Sequence, residues 1–350
     1  MSMMRREIEE SIQVAERLVA RRAELEAIGA RLAELRPAVV VVAGRGTSDH
    51  AAVFARYLLE YVLETPVALA APSLLTQYGV QSGSPRSALV AFSQSGAGPD
   101  IVALTREARG AGALTIAVTN SPDSELAAAA AHLIDLDAGP EQAVAATKTY
   151  VAELVAVVLI ASGAARALGR GDEWLSTIEG IPAEMGVALA ETDAWIAATY
   201  PDSAVQAMHR ADRVLVATRG FQYPNALEFA LKLRETTGVF ADGFSAADLL
   251  HGPIASANSE TPTVIIDTDP ITSPSLAPIG DRLRERGVPL LRISSNGTPS
   301  AALLPLAVRG GPAGVASTAV ALLALVESIA VARGQNPDAP AGLSKVTKTL

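Results

Sequence analysis

The chain contains no cysteine, and that one absence removes disulfides, thiolate metal ligation and a thiol nucleophile together. Aromatic residues are scarce at 4%, whereas apolar residues reach 49%. A large core is therefore available, and it has to be packed from Ala, Val, Leu and Ile. Positive charge is also short. The 28 Lys and Arg stand against 37 Asp and Glu, a net charge of -9, with no long basic run. That balance argues against nucleic acid as a partner, because such binding works by neutralising many phosphates. A small anion stays possible, since backbone N–H groups can hold a phosphate on an acidic protein. Two apolar runs, Val151 to Ala161 and Ala319 to Ala332, are shorter than the ~20 residues of a membrane span. Each also carries a glutamate, Glu153 and Glu327. They read as buried helices, so no membrane partner is expected. The opening MSMMRREIEESIQVAERLV has no apolar stretch of signal-peptide type, which leads to the expectation of a cytoplasmic protein.

What is present reads as strand, loop and helix in alternation. Residues 4–35 carry Ile8, Ile12, Ala15, Leu18 and Val19 at helical spacing, and Pro37 stops that helix. Ala38 to Ala43 is a buried strand of six apolar residues, followed by the loop Gly44-Arg45-Gly46-Thr47-Ser48-Asp49 and a helix over 49–63. Further strands are predicted at 67–70, 87–92, 114–118 and 133–136, with helices over 99–111 and 145–168. This pattern specifies an α/β protein with a parallel sheet covered on both faces. In such sheets ligands bind beyond the carboxyl ends of the strands, where the loops 46–48 and 93–95 both lie.

The second half repeats the first. Arg45-Gly46 and Arg219-Gly220 lie 174 residues apart, and Val144-Ala145-Ala146-Thr147 matches Val315-Ala316-Ser317-Thr318 at an offset of 171. The expected organisation is an N-terminal helix over 1–36, one domain over 37–195, a second over 196–335 and a tail over 336–350.

Four stretches could carry chemistry. Ser93-Gln94-Ser95-Gly96 stands between a strand and a helix, where short polar side chains and exposed N–H groups make a phosphate cradle; plain serine caps would give the same sequence. Gly44-x-Gly46 lacks the third glycine of a dinucleotide fingerprint, since position 49 is Asp49, and there is no Walker loop. Lys232-Leu233-Arg234-Glu235 ends a helix, and Glu235 is either a general base or part of a solvated helix end. His251, before Gly252-Pro253, is either a proton shuttle in a cleft or a helix cap. The histidines His50, His132, His209 and His251 show no metal-type spacing, so neither a metal nor another cofactor is expected. The tail lysines Lys345 and Lys348 are ordinarily solvated.

Taken together, GRGTSDHA (44–51), SQSG (93–96), AVAATKTY (143–150), ALEFALKLRE (226–235), AADLLHGP (246–253) and GLSKVTKTL (342–350) resemble the tandem sugar isomerase, or SIS, family. The similarity is greatest to the isomerase half of glutamine–fructose-6-phosphate aminotransferase and to aminosugar-phosphate deaminases. The resemblance implies two flavodoxin-like, doubly wound domains in tandem. It implies that Thr47, Ser48, Ser93, Gln94 and Ser95 hold a sugar phosphate, with Lys232 and Ala145 also lining the site. Glu235 would move a proton between C1 and C2. His251 would promote ring opening from the partner subunit of a homodimer, and Lys345 would approach the open-chain sugar, with or without a Schiff base. Two positions depart from the synthase pattern: Gly98 stands in place of a Thr, and Ala145-Ala146-Thr147 lacks a Ser. No glutaminase segment and no terminal Cys nucleophile are present, which turns the expectation from synthesis to hydrolysis. The expected reaction is glucosamine 6-phosphate to fructose 6-phosphate and ammonia. The alternatives are a phosphorylated-fructosamine deglycase, a galactosamine-6-phosphate deaminase and a non-catalytic sugar-phosphate-binding regulator.

Overall fold

A computed structural model describes residues 1–199 and 204–345. The described chain divides into two compact units: an amino-terminal one of residues 13–141 and 148–179, and a carboxy-terminal one of residues 1–12, 142–147 and 180–345. Helices α1 (Met3–Ala20) and α2 (Arg22–Leu35) precede β1 (Val39–Ala43), α3 (Thr47–Leu63), β2 (Val67–Leu69) and α4 (Pro72–Thr76). Then come β3 (Ser87–Phe92), α5 (Pro99–Gly110), β4 (Leu114–Thr119), α6 (Glu125–Ala129), β5 (His132–Asp135) and α7 (Lys148–Ala167). The carboxy-terminal half adds α8 (Ile181–Thr199), α9 (Ala204–Arg210), β6 (Arg213–Thr218), α10 (Tyr223–Thr237), β7 (Phe240–Ser245) and α11 (Ala246–Leu250). It ends with β8 (Thr263–Asp267), α12 (Ser273–Glu285), β9 (Leu290–Ser294), β10 (Leu303–Pro305) and α13 (Val315–Ala332).

In the amino-terminal unit the strand order is β2-β1-β3-β4-β5, all parallel. Val40 pairs with Val67 on one side and Ala88 on the other. All six residues of β3 are buried, as a strand covered on both faces requires. The carboxy-terminal sheet, β7-β6-β8-β9-β10, has the same winding, with β6 in the place of β1. The duplication read from two short sequence matches is thus a duplication of topology. In each sheet the chain reverses its winding between the first and third strands, β1 and β3 or β6 and β8, which is where doubly wound folds open a crevice. Leu89, Ala91, Ile101 and Leu126 pack one core under α5 and α6, and Ile265, Leu276, Ile279 and Leu283 pack its counterpart under α12.

Most element ends fall within a residue of the sequence expectation, and three differ by more. The single helix over 4–35 is two helices, broken at Arg21, where the guanidinium reaches the carbonyl of Asp135 at 2.9 Å and the carboxylate of Glu24. No proline or glycine marks the break, so helical periodicity runs through it unseen. α3 begins two residues earlier than expected, which places Thr47 and Ser48 in its first turn. α7 starts at Lys148 and not at 145, and the N–H groups of the segment ahead of it bond to distant parts of the chain. Those of Gln142 and Ala143 donate to the Glu7 carboxylate, and that of Val144 donates to the carbonyl of Asp338. By length and composition α7 and α13 are apolar enough to cross a membrane, and both are largely buried inside the fold.

α2 and α7 pack at unusually short range through two glycines. A Cβ on Gly29 would lie 1.9 Å from the carbonyl oxygen of Ile160, and one on Gly163 would lie 2.0 Å from that of Glu26. The obstacle in each case is backbone, which cannot swing aside. Gly29→Ala is expected to destabilise the amino-terminal unit by about 2–3 kcal/mol despite alanine's better helix propensity. Denaturant titration of the variant would show it, and an unchanged midpoint would refute this account of the crossing.

Candidate active site

The amino-terminal unit brings together the two hydroxyl-bearing segments. β1 and β3 are adjacent and parallel, so the turns after them emerge side by side. After β1 the chain turns through Gly46, at φ 53, into α3, and the N–H of Ser48 donates to the Arg45 carbonyl at 3.1 Å. After β3, Ser93, Gln94 and Ser95 form a half-buried turn closed at Gly96. The Gly96 N–H donates to Ser93 Oγ at 3.1 Å and that of Ala97 donates to Ser95 Oγ at 3.4 Å. Gly96 adopts φ 61, and a Cβ there would meet Ser124 Oγ at 2.0 Å, so only glycine fits. The end of β4 fixes the turn from outside, with Thr119 Oγ1 and the Asn120 N–H both donating to the Gln94 carbonyl.

Ser48 and Thr47 differ in exposure. Thr47 is half-buried, whereas Ser48 is 7% exposed and its hydroxyl donates to Glu153 on α7 at 2.7 Å. Sequence reasoning used Glu153 only as a charge that disfavours a membrane span; the structure makes it the buried anchor of the first turn of α3. Asp49, next in that turn, has its carboxyl pushed above the usual range by burial, with His50 and Arg45 pulling the other way. Arg45 itself donates to Asp100 at 2.7 Å.

The carboxy-terminal unit holds the remaining candidates. α10 runs back from the carboxyl end of β6 to the start of β7. Its last turn, with Glu235, therefore lies at the opposite end of that sheet from the crevice. Glu228, Lys232 and Glu235 share one helix face, at i, i+4 and i+7. The Lys232 ammonium is fully buried and lies 2.5 Å from Glu235 Oε2 and 3.3 Å from Glu228 Oε1. Burial alone would push that ammonium down; the two carboxylates more than offset it, so it stays charged above the usual lysine range. Glu235 keeps 24% of its side chain exposed, whereas Glu228 keeps 3%. Glu228 was absent from the sequence reading, although its spacing from Lys232 and Glu235 was there to find it.

His251 caps α11 and is exposed. Lys345 is placed, and its ammonium donates to the Ala143 carbonyl at 2.7 Å, beside the buried Ala145. Lys348 lies outside the described residues. Among the described residues no cluster of three or more His, Cys, Asp or Glu has the arrangement of a metal site. A surface cavity of about 590 Å³ at the starting edge of β6 and β8 is lined by Arg210, Arg213, Asn258 and Glu260 and by none of the candidate residues.

The fold and these turns define a pair of doubly wound α/β domains in tandem, each with its crevice at the first and third strands. Residues 37–163 and 207–332 each match the SIS domain, and the chain belongs to that family. It is 32% identical over 310 residues to the glutamine–fructose-6-phosphate aminotransferase (isomerizing) of Gloeobacter violaceus, which covers 86% of this chain and 50% of that protein. The chain thus spans about half the length of the curated relatives it matches. Among solved structures, a protein proposed as a phosphosugar isomerase from Silicibacter pomeroyi superposes with a TM-score of 0.85 at 32% identity, over 97% of this chain and all of the other. The C-terminal domain of glucosamine-fructose-6-phosphate aminotransferase from Francisella tularensis gives 0.84 at 20% identity, over 97% of this chain and 98% of that domain; that likeness speaks to fold.

Proposed function

We propose that the chain is a sugar-phosphate isomerase acting on a hexosamine 6-phosphate, converting glucosamine 6-phosphate and water to fructose 6-phosphate and ammonia. The observation that carries this reading is Glu235, a partly exposed carboxylate oriented by a buried ammonium at 2.5 Å. A carboxylate that is fixed by an ion pair and still partly open to solvent suits a proton-transfer base. The relatives' names, one an isomerising aminotransferase and one a phosphosugar isomerase, support the same class.

The residues take the following roles in this reading. Thr47 and Ser93 to Ser95 hold the phosphate through side-chain and N–H donors, whereas Ser48, expected from the sequence to join them, gives its hydroxyl to Glu153 and its N–H to the Arg45 carbonyl and so shapes the turn instead. His251, exposed at the end of α11, serves the site of a second subunit in a homodimer and assists ring opening. Glu235 takes the C2 proton of the open-chain aldose, giving an enolamine, and returns it to C1. The product is a ketimine at C2. Water adds to C2, ammonia leaves, and a ketose remains. Lys345, whose ammonium donates to the Ala143 carbonyl, approaches the open-chain sugar in this reading, and Lys232 orients Glu235.

The test is an ammonia-release assay over glucosamine, galactosamine and fructosamine 6-phosphates, coupled to detection of the ketose or hexose phosphate produced. Ammonia from glucosamine 6-phosphate with stoichiometric fructose 6-phosphate is the expected outcome. Release of ammonia or amine from fructosamine 6-phosphate alone would move the assignment to a deglycase. Neither product from any member would overturn the reading and leave a sugar-phosphate-binding protein.

A further inference from the structure

The cradle formed by the two turns is short of positive charge. Within residues 44–49 and 93–100 the only Lys or Arg is Arg45, on a chain whose net charge is -9. Hydroxyls and amides can orient a phosphate, but a dianion drawn to an acidic protein also needs a local cation. Arg45 is held as an exposed arginine seldom is. Its Nε and Nη2 both lie 2.7 Å from Asp100 Oδ2, and Asp100 is 2% exposed in the first turn of α5, directly after the second turn. The other oxygen of Asp100 accepts from the Ile101 N–H at 2.9 Å, which fixes the carboxylate. The Arg45 carbonyl meanwhile accepts the Ser48 N–H in the first turn of α3. One residue thus ties the start of α3 to the start of α5, and with them the two hydroxyl-bearing turns.

The pinning leaves donors over. A guanidinium has five N–H groups in a planar fork, and the carboxylate engages only one edge of it. Slightly more than half of the Arg45 side chain, 53%, remains exposed. Pairing with a buried acid also removes most of the rotamer freedom that an anion would otherwise have to freeze out.

We infer that Arg45, oriented by Asp100, is the charged contact of the phosphate site and sets its selectivity for a phosphorylated sugar over a neutral one. The inference rests on the sugar-phosphate reading of the two turns. A purely structural ion pair would tie the turns together and leave selectivity to the hydroxyls.

Calorimetric titration with fructose 6-phosphate and with fructose separates these possibilities, using the wild type, Arg45→Lys and Arg45→Gln. Glutamine keeps a donor for Asp100 and loses the charge, and the site of substitution is exposed, so folding is expected to survive; a thermal melt checks it. Loss of a charged hydrogen bond to phosphate should weaken fructose 6-phosphate binding by about 10- to 100-fold in Arg45→Gln, with Arg45→Lys between the two. The difference should shrink as salt is raised, a response that loss of a tether alone would not give. If folded Arg45→Gln binds fructose 6-phosphate within about threefold of wild type, the inference fails while the reading of the turns stands. If the wild type does not bind fructose 6-phosphate at all, that reading fails and takes the inference with it.

Discussion

Glu235→Gln is expected to reduce kcat by about 10²- to 10⁴-fold, the usual contribution of a positioned general base, with KM almost unchanged. The substitution is nearly isosteric. Its amide oxygen can still accept from Lys232 Nζ, which sits 2.5 Å from the native carboxylate, so the helix end should keep its geometry. What disappears is the capacity to take a proton. Two readouts tie the loss to that step: exchange of the substrate's C2 proton with solvent deuterium, followed by NMR, should fall in parallel with turnover, while binding of fructose 6-phosphate should not change. Exchange at the wild-type rate would remove Glu235 from its assigned role.

Lys232→Met should produce the largest loss of stability. The ammonium lies between Glu228 and Glu235, and its removal leaves Glu228, 3% exposed, as a buried carboxylate without its countercharge. Breaking one side of such a buried pair costs about 3–5 kcal/mol. For a unit of this size that corresponds to a fall of roughly 6–20 °C in Tm. The pH dependence has a definite sign. In the native protein the ammonium is held above the usual lysine range, so its contribution is fully present below the ordinary lysine pKa and is lost only as pH rises through the higher folded value. Between pH 5 and 8 it is constant. In the variant, the buried Glu228 loses the attraction of the ammonium, so its carboxyl is expected to be pushed up and to bind a proton in the folded state more readily than in the unfolded one. The variant's deficit should therefore shrink as pH is lowered from 8 to 5. Thermal melts across that range would show it, and adding Glu228→Gln should recover much of the loss. A variant as stable as wild type at pH 8 would mean that the triad is not the buried ionic unit described.

The particular features that could and could not be read from sequence divide along a physical line. Val39 to Ala43 and Ser87 to Phe92 declare themselves as covered parallel strands, because a strand buried on both faces needs an uninterrupted apolar run. SQSG declares a turn at the end of one of them. The face shared by Glu228, Lys232 and Glu235 was also legible, since helical spacing alone determines it, although only the latter two were singled out. Other features were not legible. The break at Arg21 depends on a carbonyl 114 residues away. The Ser48–Glu153 bond spans 105 residues and the Arg45–Asp100 pair 55. The N–H groups of Gln142, Ala143 and Val144 bond to Glu7 and Asp338, at distant points of the chain.

By itself the sequence determined the strands and the longer helices of the amino-terminal half, that the pattern occurs twice, and which residue types stand at the strand ends. Each of these follows from periodicity and local conformational preference, which act over a few residues. Tertiary structure alone decided which polar groups meet: Ser48 with Glu153, Arg45 with Asp100, Lys345 with the Ala143 carbonyl. Buried polar groups must find partners, and which partners are within reach is fixed by how the sheets stack the chain, not by spacing along it.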